Sequence, residues 1–149
     1  MENDKLFELR EYNNLTQKNV GEIIGVRQQT YAEWEKGKKI IPLKHLVTLA
    51  KYYNVSLDYL TGLSNKKDIF YKYVTLDKKE IGKKVVYVRS LYNINQKDLA
   101  SILNTSPSTI CAYEKGKTLI LTAFLYQIAK KYNISIDWLV GASSKIKRN

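Results

Sequence analysis

Apolar residues recur along this chain at spacings of three and four, and glycines or small polar residues interrupt the pattern at short intervals. Leu6, Leu9 and Arg10 fall on one face of a starting helix. Val20, Ile23 and Ile24 form the inward stripe of a second helix, and Thr16 stands where a cap would accept its first free N–H groups. Gly25 breaks the chain. A third helix runs from about Gln28 to Lys36 and ends at Gly37, a residue suited to a left-handed C-terminal turn. Pro42 opens a fourth, where its missing N–H does no harm, and Leu46, Leu49, Ala50 and Tyr53 supply that helix with an i, i+3, i+4, i+7 stripe. Ser56 caps a short fifth helix, which Gly62 stops.

The whole pattern then recurs. Displaced by 79 residues, positions 10–64 fall on 89–143 without a gap, and 21 of the 55 pairs are identical. The identities include Arg10/Arg89, Gln17/Gln96, Thr30/Thr109, Glu35/Glu114, Gly37/Gly116, Asp58/Asp137 and Gly62/Gly141; Val20/Leu99, Ile24/Leu103, Trp34/Tyr113 and Val55/Ile134 keep apolar character. Such self-similarity marks a duplicated domain. The reading is an all-α chain of two five-helix domains, at residues 1–64 and 77–143. Asp77 caps the second domain's first helix, with Glu80 three residues on. Residues 65–76 form the connection. Its stretch Ile69–Val74 is too aromatic for a loose tether, and packs against a domain or contributes to a dimer interface. Residues 144–149 form a basic tail, expected to fray from Ser143 onward.

Charge narrows the function. Lys and Arg number 25 against 14 Asp and Glu, a net +11 with a pI near 9.6. That balance favours polyanionic partners, nucleic acid first. The distribution is uneven: residues 1–64 carry 9 basic and 8 acidic groups, whereas residues 77–149 carry 13 and 5. No apolar run approaches the roughly 20 residues that span a bilayer, and Met1-Glu2-Asn3-Asp4 does not read as a secretory signal. Cys111 is the single cysteine, which excludes an internal disulfide and fits a reducing cytoplasm.

The informative segments are Leu15-Thr16-Gln17-Lys18, Gly25-Val26 and Trp34-Glu35-Lys36-Gly37-Lys38, matched by Ile94-Asn95-Gln96-Lys97 and Tyr113-Glu114-Lys115-Gly116-Lys117. With the endings Val55-Ser56-Leu57-Asp58-Tyr59-Leu60 and Ile134-Ser135-Ile136-Asp137-Trp138-Leu139, they resemble the Cro/repressor family of helix-turn-helix domains, the XRE family. The resemblance spans both copies. It implies two lambda-repressor-like domains that occupy operator DNA, each laying its third helix in the major groove. The function implied is transcriptional regulation, as a repressor, by a chain residing in the cytoplasm on the nucleoid.

The resemblance also implies roles. Gln17 and Gln96 sit at the phosphate-facing start of the second helix, able to donate to a phosphate or brace a reading residue. Gln28 and Gln29 resemble the paired glutamines of lambdoid repressors, and Gln can meet adenine N6 and N7 with two hydrogen bonds. Arg27 replaces the usual Ser or Thr cap and can grip a phosphate or a guanine. In the second copy, Ser108 is the base-facing candidate. Pro107 and short serines offer few reaching hydrogen bonds, so weaker sequence readout is expected there. Lys36, Lys38 and Lys39, with Lys115 and Lys117, stand where the family meets the DNA backbone. Arg10 with Glu35, and Arg89 with Glu114, are implied as partly buried ion pairs. The first domain is thus expected to select sequence and the second to supply salt-dependent affinity.

Other residues read as structural: Trp34, Tyr113 and Trp138 as core or interface, Cys111 as a small residue aligned with Ala32. His45 lacks a second ligand at metal spacing. With one His, one Cys and no phosphate-binding glycine loop, neither enzyme chemistry nor a cofactor is expected. Double-stranded DNA is the expected partner, read by a homodimer or an intramolecular pseudo-dimer. The alternative is a protein-interaction module on the same fold, such as an antitoxin that holds a partner protein.

Overall fold

The computed structural model describes Met1, residues 4–67 and residues 74–148. These fall into two compact units, the second running from Val74 to Arg148. In the first unit α1 spans Asp4–Tyr12, α2 Gln17–Ile24, α3 Gln28–Glu35, α4 Leu43–Tyr53 and α5 Leu57–Leu60. In the second, α6 spans Lys78–Leu91, α7 Gln96–Leu103, α8 Pro107–Glu114, α9 Thr122–Tyr132 and α10 Ile136–Leu139. No helix among the described residues is long and apolar enough to cross a membrane.

Local chemistry sets the helix ends. Thr16 Oγ1 accepts the Asn19 N–H at 3.0 Å while Asn19 Oδ1 accepts the Thr16 N–H at 2.9 Å. Asn95 and Asp98 repeat that reciprocal cap on α7, at 2.7 and 3.0 Å. Ser56 and Ser135 accept the N–H groups of Tyr59 and Trp138 to start α5 and α10. Asp77 accepts from Lys79 and Glu80. Pro42 sits just outside α4, as its extended N-terminal flank, rather than within the first turn. The α2–α3 turn begins at Gly25 and the α7–α8 turn at Asn104, both left-handed with φ of 76° and 55°. Asparagine tolerates that region because its short amide can bond locally.

Each unit closes on its own core. Tyr31, Leu46, Leu49, Leu57 and Leu60 are fully buried in the first, and Leu99, Ile110, Leu125 and Ile128 in the second. Full burial of such a side chain stabilises by about 1.5–3 kcal/mol. Trp34, Tyr113 and Trp138 are also buried. Where α6 crosses the end of α8, Gly82 lies against backbone. A Cβ there would collide with the Tyr113 carbonyl oxygen and stand 2.8 Å from that of Glu114.

The C-terminal segment departs from the expected fraying. Ile134 and Lys147 form an antiparallel bridge, and the Ser135 N–H donates to Ile146 O at 2.8 Å. Lys147 Nζ donates to Tyr92 Oη at 2.6 Å and Tyr132 O at 2.8 Å. Arg148 Nη1 donates to Ala129 O and Ile134 O, at 2.8 and 2.9 Å. The end of α9 carries the negative end of the helix dipole, which favours cations there. Lys147 serves the last carbonyl of the helix, at Tyr132, while Arg148 adds to Ala129 O, which also accepts the Asn133 and Ile134 N–H groups, and to Ile134 O just beyond the helix. Val74, read as part of the connection, is buried in the second unit. The rest of the aromatic stretch, residues 69–73, lies outside the described residues.

Candidate nucleic-acid interface

In each unit two eight-residue helices meet across a tight turn, α2 with α3 and α7 with α8. The first turn of α3 presents Arg27, Gln28 and Gln29, all exposed. Among the described residues their side chains make no hydrogen bond or ion pair, and Arg27 does not cap the helix. Three long polar side chains therefore project side by side with donors and acceptors unspent.

The matching surface of α8 is different. Ser106 accepts the Thr109 N–H as cap, and its hydroxyl also meets Ser108 Oγ at 3.0 Å and Thr109 Oγ1 at 2.8 Å. Ser108 is exposed but tied into this local network. Beyond it, Ser108, Thr109 and Ala112 face a cleft bordered by Leu119 and Leu121, two leucines left exposed.

A duplicated network holds these helices. Arg10 meets Glu35 through Nε and Nη2, at 2.9 and 2.8 Å, and Nη1 donates to Leu15 O at 2.9 Å. Arg89 meets Glu114 in the same way and donates to Ile94 O. Gln96 Nε2 donates to Glu114 Oε1 at 2.9 Å. Burial alone would raise the Glu35 carboxyl, but the two hydrogen bonds from the Arg10 guanidinium, with Tyr31 and Gln17 close by, hold it below the usual carboxylate value. Hydrogen bonding to Glu35 raises the Arg10 guanidinium, and Glu114 does the same for Arg89. Gln96 thus braces Glu114. The arginine ties the first helix to the end of the third in each unit, and in the second unit the start of the second helix joins the same clamp.

The lysines gather elsewhere. Lys36, Lys38 and Lys39 follow α3, roughly 12 Å of helix from Gln28, and all are exposed. Lys39 pairs with Glu33 at 3.2 Å. Lys115 and Lys117 occupy the same place after α8, also exposed. Sequence reasoning missed two residues there. Lys78 Nζ donates to Lys117 O at 3.3 Å, and Lys79 packs against Gly116. Four lysines thus cluster at one end of α8. The available signal was the extra N-terminal turn of α6, whose 14 residues compare with 9 in α1.

The remaining candidates fall outside this surface. His45 is half-buried with its ring 5.3 Å from that of Trp34, and burial, then Lys44, lowers its pKa. Cys111 is half-buried with a free thiol. Among the described residues no group of His, Cys, Asp and Glu is arranged to hold a metal ion.

Comparison with known proteins agrees with this duplicated architecture. Residues 6–60 match the family described as Helix-turn-helix, and residues 82–142 match a second described as Helix-turn-helix domain. An uncharacterized HTH-type transcriptional regulator of Bacillus subtilis is 39% identical over 64 residues, 43% of this chain and 57% of that protein. The chain therefore spans little more than half the length of this relative. Another, from Methanocaldococcus jannaschii, is 41% identical over 54 residues, 36% of this chain and 82% of its own length.

Proposed function

The chain belongs to the XRE-type helix-turn-helix transcriptional regulators and carries two copies of the DNA-binding domain; from that premise we propose that it represses transcription by occupying operator DNA, with the two copies dividing the work. The first unit reads sequence through Gln28 and Gln29, aided by Arg27 on a guanine or phosphate. The second supplies phosphate neutralisation through Lys115 and Lys117, joined by Lys78 and Lys79. Lys36, Lys38 and Lys39 contact the backbone beside the first unit. Gln17 and Gln96, the latter also bracing Glu114, present the start of the second helix to a phosphate.

The observation that carries this reading is the contrast between α3 and α8. Bidentate readout needs long side chains with free hydrogen-bonding groups, and Arg27, Gln28 and Gln29 meet that need. Ser108 is short and shares its hydroxyl with Ser106. Phosphate binding needs only exposed positive charge, which the lysine cluster supplies. Two half-sites are served by a homodimer or by one chain acting as a pseudo-dimer, in the cytoplasm on the nucleoid.

The second reading is a partner-binding module, favoured by exposed Leu119 and Leu121 beside α8. Fluorescence anisotropy separates the two. Titration against the DNA flanking the protein's own gene and against a scrambled duplex, across salt, should give tight, sequence-dependent binding that Gln28→Ala weakens. Equal, weak binding to both duplexes would sink the operator reading and point to a protein partner.

A further inference from the structure

The Lys84 ammonium lies 4.2 Å from the centroid of the Trp138 ring, and the Tyr87 ring is 5.8 Å from the same indole. With Lys83, Ser144 and Ile146 these residues line an open cleft of about 410 Å³. None of them belongs to α7 or α8, so the cleft is distinct from that unit's helix-turn-helix surface.

The first unit serves as an internal control. The 79-residue displacement carries Lys84 onto Lys5 and Trp138 onto Tyr59, and Lys5 Nζ lies 4.9 Å from the Tyr59 ring. The cation–aromatic pair is therefore common to both copies and says nothing about a ligand. Its surroundings differ. Lys83, Tyr87 and Ile146 replace Asp4, Glu8 and Lys67. In the first unit Glu8 neutralises Lys5 at 3.5 Å. Lys67 reaches over the Tyr12 and Tyr59 rings at 5.2 and 6.0 Å. In the second unit both acids are gone, and the docked tail contributes an apolar side chain where a third cation would otherwise stand.

What remains is cationic and aromatic. Lys84 has no carboxylate partner among the described residues, whereas Lys83 shares an exposed helical pair with Glu80 at 3.0 Å, an interaction of small net strength. Tyr87 is 51% exposed where the first unit carries a glutamate. We propose that this cleft binds a planar aromatic anion, a small molecule that joins an aromatic ring to a carboxylate or phosphate. Its ring packs on Tyr87 and the accessible edge of Trp138. Its acid group pairs with Lys84 and Lys83. The size suits such a ligand, since small-molecule sites are clefts of roughly 300–1,000 Å³ lined by apolar groups with a few polar anchors. Removing the two acids favours an anion, and replacing Glu8 by an aromatic supplies the stacking face.

The chain holds two tryptophans, so an amide correlation NMR spectrum carries two indole N–H signals, with buried Trp34 as the built-in control. The full chain is titrated with indole-3-carboxylate, adenosine monophosphate and neutral indole-3-carboxamide. We expect at least one anion to displace the Trp138 signal saturably while Trp34 stays in place. Which anion saturates at lower concentration separates a carboxylate from a phosphate ligand. Binding should weaken roughly tenfold or more with the amide and in Lys84→Gln. It should be lost in Tyr87→Glu, which restores the first unit's residue, with the unmoved Trp34 signal and an unchanged melting curve reporting an intact fold. No saturable displacement by either anion up to about 5 mM overturns the proposal, as does an equal response to the amide or undiminished binding in Tyr87→Glu. A Trp138 signal that moves with protein concentration alone overturns it too, because the face is then a contact between copies.

Discussion

Arg10 and Glu35, 25 residues apart, meet through two parallel hydrogen bonds with only 10% and 5% of their side chains exposed. An isolated charge at this depth is costly, so each is tolerated because the other is present. Arg10→Ala should therefore destabilise the first unit by about 3–5 kcal/mol, mostly by stranding Glu35. Arg10→Lys should recover only part of the loss, because a point charge cannot reproduce the planar fork. The Arg10→Ala/Glu35→Ala pair should be more stable than Arg10→Ala alone. Urea denaturation followed by the Trp34 fluorescence of that unit measures all three. A loss below about 1 kcal/mol, the level of an exposed pair, would contradict the assignment.

The same carboxylate gives a pH dependence of definite sign. Glu35 is held below its usual 4.5 in the folded chain chiefly by the hydrogen bonds from Arg10, which with the polar groups around the carboxylate outweigh burial. As pH falls, the unfolded chain takes up this proton first. Its stabilising contribution is complete above about pH 4.5 and disappears as pH falls through the lower, folded value. The urea midpoint of the first unit should drop across that acid window, and Glu35→Gln should flatten this part of the profile. Parallel wild-type and variant profiles would show that the group is not responsible.

Much of this architecture was legible because it rests on short-range chemistry. Thr16, Ser56, Ser106 and Asp77 announce helix starts by residue type alone, and gap-free duplication cross-checks each position. The αL site is harder to read when it changes identity: Gly25 is obvious, whereas Asn104 does the same job without a glycine. Contacts between distant segments were invisible. Nothing in the composition of the tail shows that Lys147 and Arg148 find the carbonyls at and just beyond the end of α9, and only the packed chain brings Lys78 beside Lys117. For the interface, sequence supplied Arg27, Gln28 and Gln29 as candidates. It did not show that Ser108 is tied to Ser106, because that depends on the rotamers of a capped turn.

Gly82 tests the crossing of α6 and α8. Its Cβ would enter the space of the Tyr113 carbonyl, and backbone there cannot rotate aside as a side chain would. Gly82→Ala should cost about 1–3 kcal/mol or more through overpacking. Gly21→Ala is the instructive comparison. A Cβ at Gly21 meets Val26 O at 2.8 Å, yet the second copy carries Ala100 at the matching position of the same turn. That turn can relax, so Gly21→Ala should cost less. Calorimetric melting of both variants decides the order. The reverse ranking would mean that the α2–α3 turn is the more rigid element.

The proposed division of labour between the units predicts two separable defects on DNA. On the proposed reading, Gln28→Ala removes a group that discriminates between bases but carries no charge. It should reduce preference for the operator over a scrambled duplex by about 1–3 kcal/mol while leaving the slope of log K against log salt unchanged. On the same reading, Lys115→Ala and Lys117→Ala remove counterion-releasing contacts. Each should lower that slope by about 0.9 for a full phosphate contact and weaken both duplexes equally. Lys78→Ala and Lys79→Ala should behave in the same way, because both residues begin α6 beside the loop that carries Lys117. Anisotropy titrations at several salt concentrations give slope and preference together. A lysine variant that loses sequence preference with an unchanged slope would move base reading into the second unit, against the short, locally paired hydroxyls of Ser106 and Ser108.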